Sequence, residues 1–191
     1  MISKRAVSTL VATVLLILIV VAAVAIIWGA IMPMMTTAMD IGRACLNSQG
    51  LTINSEGGYT CASLTNASVM VSRSAENFEV AGVKLALSAG GVTKSVTIRV
   101  GDTSLGLDPM NKNFLSTVIM MGNEASHTLQ IPGSNEERTY VINTKSTDAN
   151  TLSLQLPGKP EKASIAVIVK VGNTEKECSV SSIVTLNQCV E

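Results

Sequence analysis

The distribution of apolar residues divides this chain into two parts. Residues 6–39 form a run of 34 positions without Asp, Glu, Lys or Arg, and Thr13 is the only polar residue of the stretch 10–27. A helix that is apolar on every side needs apolar surroundings on every side. At about 1.5 Å per residue, residues 7–28 would span about 33 Å as a helix, close to the hydrocarbon thickness of a bilayer. The run therefore predicts a membrane-spanning helix.

The residues that flank this run predict its orientation. Lys4 and Arg5 precede it, and the next charge along the chain is Asp40. Positively charged flanks stay in the cytoplasm, and Trp28 falls where aromatic side chains favour the opposite membrane interface. We therefore expect a precursor in the cytoplasmic membrane with its N-terminus inside and the residues after the helix outside the cytoplasm.

The helix is expected to continue beyond the membrane and to end near Cys45, with one interruption. Pro33 cannot donate a hydrogen bond to the carbonyl of Gly29, and Gly29 itself lowers helix propensity. A kink or a short melted turn is therefore predicted between these two residues. Flexible side chains that can fill irregular gaps follow the tryptophan. They are Met32, Met34, Met35 and Met39.

After residue 46 the hydrophobic period changes to two, which is typical of strands with one buried face. Turn-forming Gly, Pro and Asn residues separate the alternating segments. Seven or eight short strands at this spacing predict an antiparallel immunoglobulin-like β-sandwich head, so the fold class is α+β with a long N-terminal hydrophobic α-helix. The segment 115–121 fits either a buried strand or a short helix. The predicted strands are 51–53, 68–72, 83–87, 95–100, 139–142, 152–156, 163–171 (expected to be the longest and most central) and 180–186.

Composition and charge exclude several classes of function. The 14 Lys and Arg residues balance the 14 Asp and Glu residues, so the chain has no basic field to hold nucleic acid. Aromatic residues make up only 3% of the chain, which argues against platforms for stacking bases. The one histidine, His127, leaves little room for a histidine-rich metal site or an acid–base triad. We expect no enzyme, no cofactor and no metal site.

Two other features are candidate functional sites: a loop flanked by two acidic residues and a glycosylation sequon. Asp102 and Asp108 flank a glycine-containing loop but lack the spacing of an EF-hand. Asn66 opens the one Asn-x-Ser/Thr sequon of the chain, so it is the N-glycosylation candidate. The sequence contains no recognisable pairing of a nucleophile with a base.

All four cysteines lie after the apolar run, in the part expected outside the cytoplasm. An even number in that location favours two disulfides in an oxidising exterior. Pairing Cys45 or Cys61 with Cys178 or Cys189 would tie the junction of helix and head to the last strand. Local pairs, 45 with 61 and 178 with 189, fit the sequence as well, so the connectivity stays open.

The N-terminal junction resembles the class III signal of archaeal type IV pilins and archaellins. Its residues are Lys4-Arg5-Ala6-Val7-Ser8-Thr9, directly before the apolar run. In that family a membrane peptidase cuts on the cytoplasmic side of the run, and the retained helix becomes the core of a filament. The resemblance implies cleavage after Ala6, with cleavage after Arg5 as the second choice. It divides the chain into a signal peptide (1–6), a hydrophobic helix (7–45) and an extracellular β-sandwich domain (46–191).

The N-terminus departs from the commoner pilin patterns at two places, and a second segment of the chain is also similar to archaeal pilin-like proteins. Thr9 stands where the commoner family pattern has proline. Leu10 or Val11 stands where bacterial pilins carry a glutamate, which favours the archaeal branch. The segment Pro132–Tyr140, of sequence PGSNEERTY, also resembles a turn before a central strand in the heads of archaeal pilin-like proteins.

The function implied by the resemblance is structural. Such a subunit forms a homo-oligomer, a helical filament held through the helix 7–45, at the cell surface, as a type IV pilus or archaellum-like filament for adhesion or motility. The implied partners are the membrane before assembly, a class III prepilin peptidase and an ATP-driven assembly platform.

The sequence has three other interpretations besides that of a filament subunit. A conventional secretory signal has an apolar region of only 7–15 residues, and cutting at Ala23-Val-Ala25 would leave an apolar segment in water. A single-pass membrane-anchored surface protein with a β-sandwich binding domain predicts a native N-terminus and no polymer. An anchored hydrolase would need His127 or a pair of carboxylates in a cleft.

Overall fold

A computed structural model gives the architecture of most of the chain. The predicted candidates Asp102, Asp108 and His127 lie outside the described residues. The described residues are 4–75, 79–101, 117–122, 128–145 and 153–189.

One long helix, α1 (Lys4–Asn47), opens the structure and runs through Pro33 without a break. The predicted melted turn between Gly29 and Pro33 is therefore wrong, whereas a kink stays a prediction. Proline removes only one backbone hydrogen bond, and two hydroxyl groups bond to the carbonyl oxygen of Pro33: Thr36 Oγ1 at 3.0 Å and Thr37 Oγ1 at 2.9 Å. A 3₁₀ turn, Ser48–Gly50, follows the helix.

The chain divides into two compact units, Met1–Gly42 and Arg43–Glu191. The first contains most of α1. The second contains the last turn of α1 and the head, whose strands form two sheets. The strands are β1 (Leu51–Asn54), β2 (Cys61–Ala62), β3 (Asn66–Arg73), β4 (Val80–Ala89), β5 (Val92–Arg99), β6 (Val118–Met120), β7 (Glu137–Asn143), β8 (Lys162–Val171), β9 (Thr174–Thr185) and β10 (Asn187–Gln188).

The first sheet has the order β10-β2-β3-β7-β6, and β1 pairs with the end of β3 that β2 leaves free. The second sheet has the order β5-β4-β8-β9. Every pairing between these strands is antiparallel except that of β2 with β10, which is parallel. The α+β class with a sandwich-like head is thus confirmed, with one parallel pair in a head predicted to be antiparallel throughout.

Side chains from both sheets form one hydrophobic core. Alternate residues are fully buried along β3 (Val69, Val71) and β4 (Leu85, Leu87), as a strand with one inward face requires. Tyr140 of β7 is the largest side chain that is fully buried. The period-2 pattern of the sequence is therefore the pattern of burial in the head.

Most of the predicted strands are present, and three details differ. The segment 153–156 is not a strand, because Gln155 has a φ of 53°, which interrupts extended backbone. The ambiguous segment 115–121 includes a strand, β6. The long strand β8 does lie between two partners, but β9, with 12 residues against 10, is longer.

Candidate functional site: the exposed apolar helix

The apolar side chains of α1 are exposed around its whole circumference. Successive residues of a helix are separated by about 100°, so five of them cover every direction. Leu15, Leu16, Ile17, Leu18 and Ile19 are five such residues, and they are 54–68% exposed. A helix of this kind has no face for water.

This is the one helix among the described residues that is long and apolar enough to cross a membrane. Signal sequences near an N-terminus meet the same criteria of length and composition. The residues of the predicted cleavage site, Lys4, Arg5, Ala6 and Val7, belong to the first turns of this helix. Cleavage there stays a prediction.

The uncharged part of the helix is longer than a bilayer requires. Its 34 residues extend about 51 Å, against about 30 Å of hydrocarbon and about 40–45 Å with the headgroups. Fitting 51 Å into the hydrocarbon would take a tilt of more than about 50°, beyond the roughly 0–40° that membrane helices adopt. The uncharged run is therefore longer than the hydrocarbon of a bilayer can contain.

Residues 29–41, which we call the methionine segment, follow Trp28, the residue predicted to lie at the membrane interface. Its only charged residue is Asp40. Ile31 and the four methionines of the segment are 46–74% exposed. The segment therefore presents an apolar surface with a single charge near its end.

A shallow apolar notch lies on one face of the methionine segment. Residues three, four, seven and eight positions apart lie on the same side of a helix. The hydroxyl of Thr37 bonds to the backbone of its own helix, and Ala38 contributes only a methyl group. Neither side chain offers an uncommitted polar group. The notch is lined by Pro33, Met34, Thr37, Ala38 and Ile41.

Two disulfides link the start of the head to its end. Cys45 in the last turn of α1 is bonded to Cys178 of β9, with 5.4 Å between their Cα atoms. Cys61 of β2 is bonded to Cys189 just after β10, with 4.9 Å between their Cα atoms. The prediction of two disulfides is confirmed, and the connectivity is the long-range one rather than the local one.

The geometry of β9 explains how Cys178 reaches its partner. The register of β8 and β9 shifts twice, between Ile165 and Ile168, so that β9 carries extra residues there. Bulges of this kind redirect side chains along an edge strand. Cys178 is buried although the four residues before it are exposed. Ser181, in the same irregular stretch, donates to the carbonyl oxygen of Leu51 at 2.7 Å.

The sequon residue Asn66 is exposed at the first position of β3. Two hydrogen bonds join its backbone to Ser63. The Ser63 N–H donates to the Asn66 carbonyl at 2.8 Å, and the Asn66 N–H donates to the Ser63 hydroxyl at 3.1 Å. The exposed side chain is therefore held in an ordered turn. Its glycosylation stays a prediction.

A polar cluster holds the segment 130–138, which overlaps the segment 132–140 that resembles a turn before a central strand. The Glu136 carboxylate accepts the Gly133 N–H at 2.7 Å and the Arg138 guanidinium at 2.6 Å. The bond from Gly133, followed by the charge of Arg138, holds the pKa of Glu136 below its ordinary value, although desolvation acts the other way. The Tyr140 hydroxyl donates to the Gln130 carbonyl, and burial raises its pKa. These bonds position a loop.

Metal-binding geometry is lacking in the part of the chain that the structure describes: no three His, Cys, Asp or Glu side chains converge there. No family model and no curated protein matches the chain. The fold and the exposed helix define the class of protein coarsely. It is a β-sandwich-like domain preceded in the chain by one apolar helix, which is compatible with a pilin-like subunit or a single-pass membrane protein.

Proposed function

We propose that the protein is a structural subunit of an extracellular filament that polymerises through the helix 7–45. The resemblance of its N-terminus is to archaeal type IV pilins and archaellins, so the filament is a pilus or an archaellum-like filament at the cell surface, for adhesion or motility. One observation carries the proposal: the apolar helix is exposed on all sides, and its uncharged run is longer than the hydrocarbon of a bilayer.

The energetics of the helix support assembly. Eighteen large hydrophobic side chains between Val11 and Met39 are exposed. Burying each contributes roughly 1.5–3 kcal/mol relative to water, which amounts to tens of kcal/mol per subunit. Relative to lipid the gain is small, since acyl chains are as apolar as leucine. Extraction from the membrane thus needs an external source of energy, the role proposed for an ATP-driven platform, whereas loss of a subunit from the filament into water is prohibitive.

Processing by a class III prepilin peptidase would suit this helix physically. Lys4 and Arg5 are the only charged side chains before Asp40. Burying them in a bundle of apolar helices would carry a large desolvation cost. Cleavage after Ala6 removes both and leaves a helix with no charged side chain from Val7 to Met39. The same cut leaves the α-amino group of Val7 at the new end, so one terminal charge replaces the two side-chain charges.

The second candidate is a single-pass membrane-anchored surface protein with a β-sandwich binding domain. Residues 7–28 alone meet the length that a simple anchor needs. This candidate gives no role to the methionine segment, whose apolar surface an anchor does not require. The two candidates differ in the N-terminus of the mature chain and in the presence of a polymer.

The test is electron microscopy of filaments sheared from the cell surface, with mass spectrometry of the subunit's N-terminus. We expect filaments whose subunit begins at Val7, or at Ala6 for the alternative cut. The double variant Lys4→Ala/Arg5→Ala should retain the full precursor in the membrane and form no filaments. The matched control Lys94→Ala/Lys170→Ala removes two exposed positive charges from the head and should assemble. An intact Met1 terminus on a protein that never polymerises would contradict the proposal.

A further inference from the structure

We infer that the two disulfides form a tension-bearing link between the end of α1 and the segment 178–189. Tension between these two places passes through two short covalent connections, and the other strands of the head carry none of it. The inference goes beyond the proposed function and rests on it only for the source of the tension, because a filament used for adhesion or motility is pulled. The link itself is a property of the single chain.

The first connection, which we call the β9 connection, starts in the last turn of α1. Cys45 belongs to the same compact unit as the strands of the head, and its disulfide leads directly to Cys178 in β9. From there the backbone reaches Cys189 in 11 residues, most of which already lie in the extended strands β9 and β10. At about 3.5 Å per residue this connection cannot exceed about 40 Å, so it has little slack.

The second connection, the β2 connection, uses the other disulfide. The backbone runs 16 residues from Cys45 to Cys61, and the bridge from Cys61 to Cys189 then reaches the segment after β10. Its taut length is about 55 Å. Beside the bridge, β2 and β10 pair in parallel, and the Cys189 N–H donates to the Ala62 carbonyl at 3.3 Å. Either connection alone therefore joins the helix end to the last strands.

Most of the head lies outside both connections. Strands β3 to β8, within residues 66–171, supply most of the side chains of the core, and neither connection passes through them. Without the bridges, the backbone from residue 45 to residue 189 could be drawn out to about 500 Å. The bridges limit this extension to about a tenth of that length. The limit is covalent, so it does not depend on the free energy of folding.

The experiment stretches single full-length chains in detergent micelles between peptide tags at their two ends. The force is held constant at a value that unravels noncovalent structure, and a phosphine reductant is then added. Because α1 is drawn out before that point, it contributes nothing to the later steps. We expect the chain to lengthen by less than about 20 Å when the first bridge opens and by about 450 Å when the second one opens.

Two matched variants each retain one connection. Cys61→Ser/Cys189→Ser keeps the β9 connection, and Cys45→Ser/Cys178→Ser keeps the β2 connection. Each should show the large step alone, at its first and only reduction. The parent chain by itself decides the result, since it is folded and oxidised before tension is applied, so a variant that fails to fold leaves the test intact.

Three outcomes overturn the inference or the proposed function separately. If the oxidised head of the parent extends by more than about 100 Å before reductant is added, the link is absent; local pairing of 45 with 61 and 178 with 189 would give about 410 Å at that stage. A step of about 450 Å at the first reduction of the parent also overturns the inference, because one connection then carried all the tension. Absence of filaments from cells that express the parent chain overturns the proposed function instead and leaves the single-chain result unchanged.

Discussion

At the scale of single residues, Tyr140 links the core of the head to the loop beside it. Its ring is fully buried and its hydroxyl donates to the Gln130 carbonyl. Tyr140→Phe keeps the ring but leaves that carbonyl without its donor, so we expect a loss of about 1–2 kcal/mol in unfolding free energy. Urea unfolding of residues 43–191 measures it. Tyr59→Phe, at a residue that is 57% exposed, is the control and should stay within about 0.5 kcal/mol of the parent.

The same residue predicts a dependence on alkaline pH. Burial raises the pKa of Tyr140 in the folded head, whereas in the unfolded chain it titrates near its ordinary value of about 10. Above pH 10 the unfolded state therefore binds fewer protons than the folded state, and the unfolding free energy falls as pH rises. The stability difference between the parent and Tyr140→Phe should shrink between pH 9 and pH 11. A difference that stays constant over that range would show that the hydroxyl titrates freely.

At the scale of elements, the two disulfides interlace, because 45 pairs with 178 and 61 with 189. With one bridge already closed, the other closes only the segments 45–61 and 178–189, an effective loop of about 27 residues instead of 133. The loop-entropy relation then gives about 3.5 kcal/mol for the second bridge and about 5 kcal/mol for the first.

Removing either bridge alone is therefore expected to lower the unfolding free energy by nearly the same amount. Cys45→Ser/Cys178→Ser and Cys61→Ser/Cys189→Ser should each lower the unfolding free energy of residues 43–191 by about 3.5 kcal/mol, and removal of both bridges by about 8.5 kcal/mol. Urea unfolding under oxidising conditions measures all three. Losses of about 5 kcal/mol from each pair alone, with the quadruple variant simply their sum, would contradict the interlaced connectivity.

The elements that could be predicted from the sequence are those whose signal is local. Strand β4 alternates buried and less buried residues, β3 does so over most of its length, and β8 is a continuous apolar run that is buried from residue 165 to residue 169, so the hydrophobic pattern reveals all three. The two-residue strands β2 and β10 are too short to carry a period. Gln155 adopts a positive φ in a segment whose apolar and polar residues alternate as in a strand. The neighbouring residues give no sequence signal for this conformation.

The candidate site likewise has features that the sequence predicts and features that it does not. An uncharged run of 34 residues is a local signal, and the exposed helix follows from it. The cysteine pairing depends on which strands become neighbours, so spacing alone leaves it open. The notch depends on the Thr37 hydroxyl bonding to the Pro33 carbonyl, a contact that only coordinates reveal. The only sign of the notch in the sequence is that Ala38, with its small side chain, follows Pro33 by five residues.

At the scale of the whole molecule, the two units have opposite relations to water. The head has its own hydrophobic core and two disulfides. The helix unit has no core, and every side chain from Val11 to Asp40 is exposed. A chain of this composition is stable only where lipid or other apolar helices surround its first unit.

Sedimentation velocity of the chain beginning at Val7, after detergent is removed, tests this claim most directly. We expect large assemblies at every accessible concentration, whereas residues 43–191 alone should sediment as a monomer. Disruption of the assemblies by added detergent would identify helix contacts as their cause. A dispersed monomer in detergent-free buffer, with residues 7–39 still attached, would contradict the account.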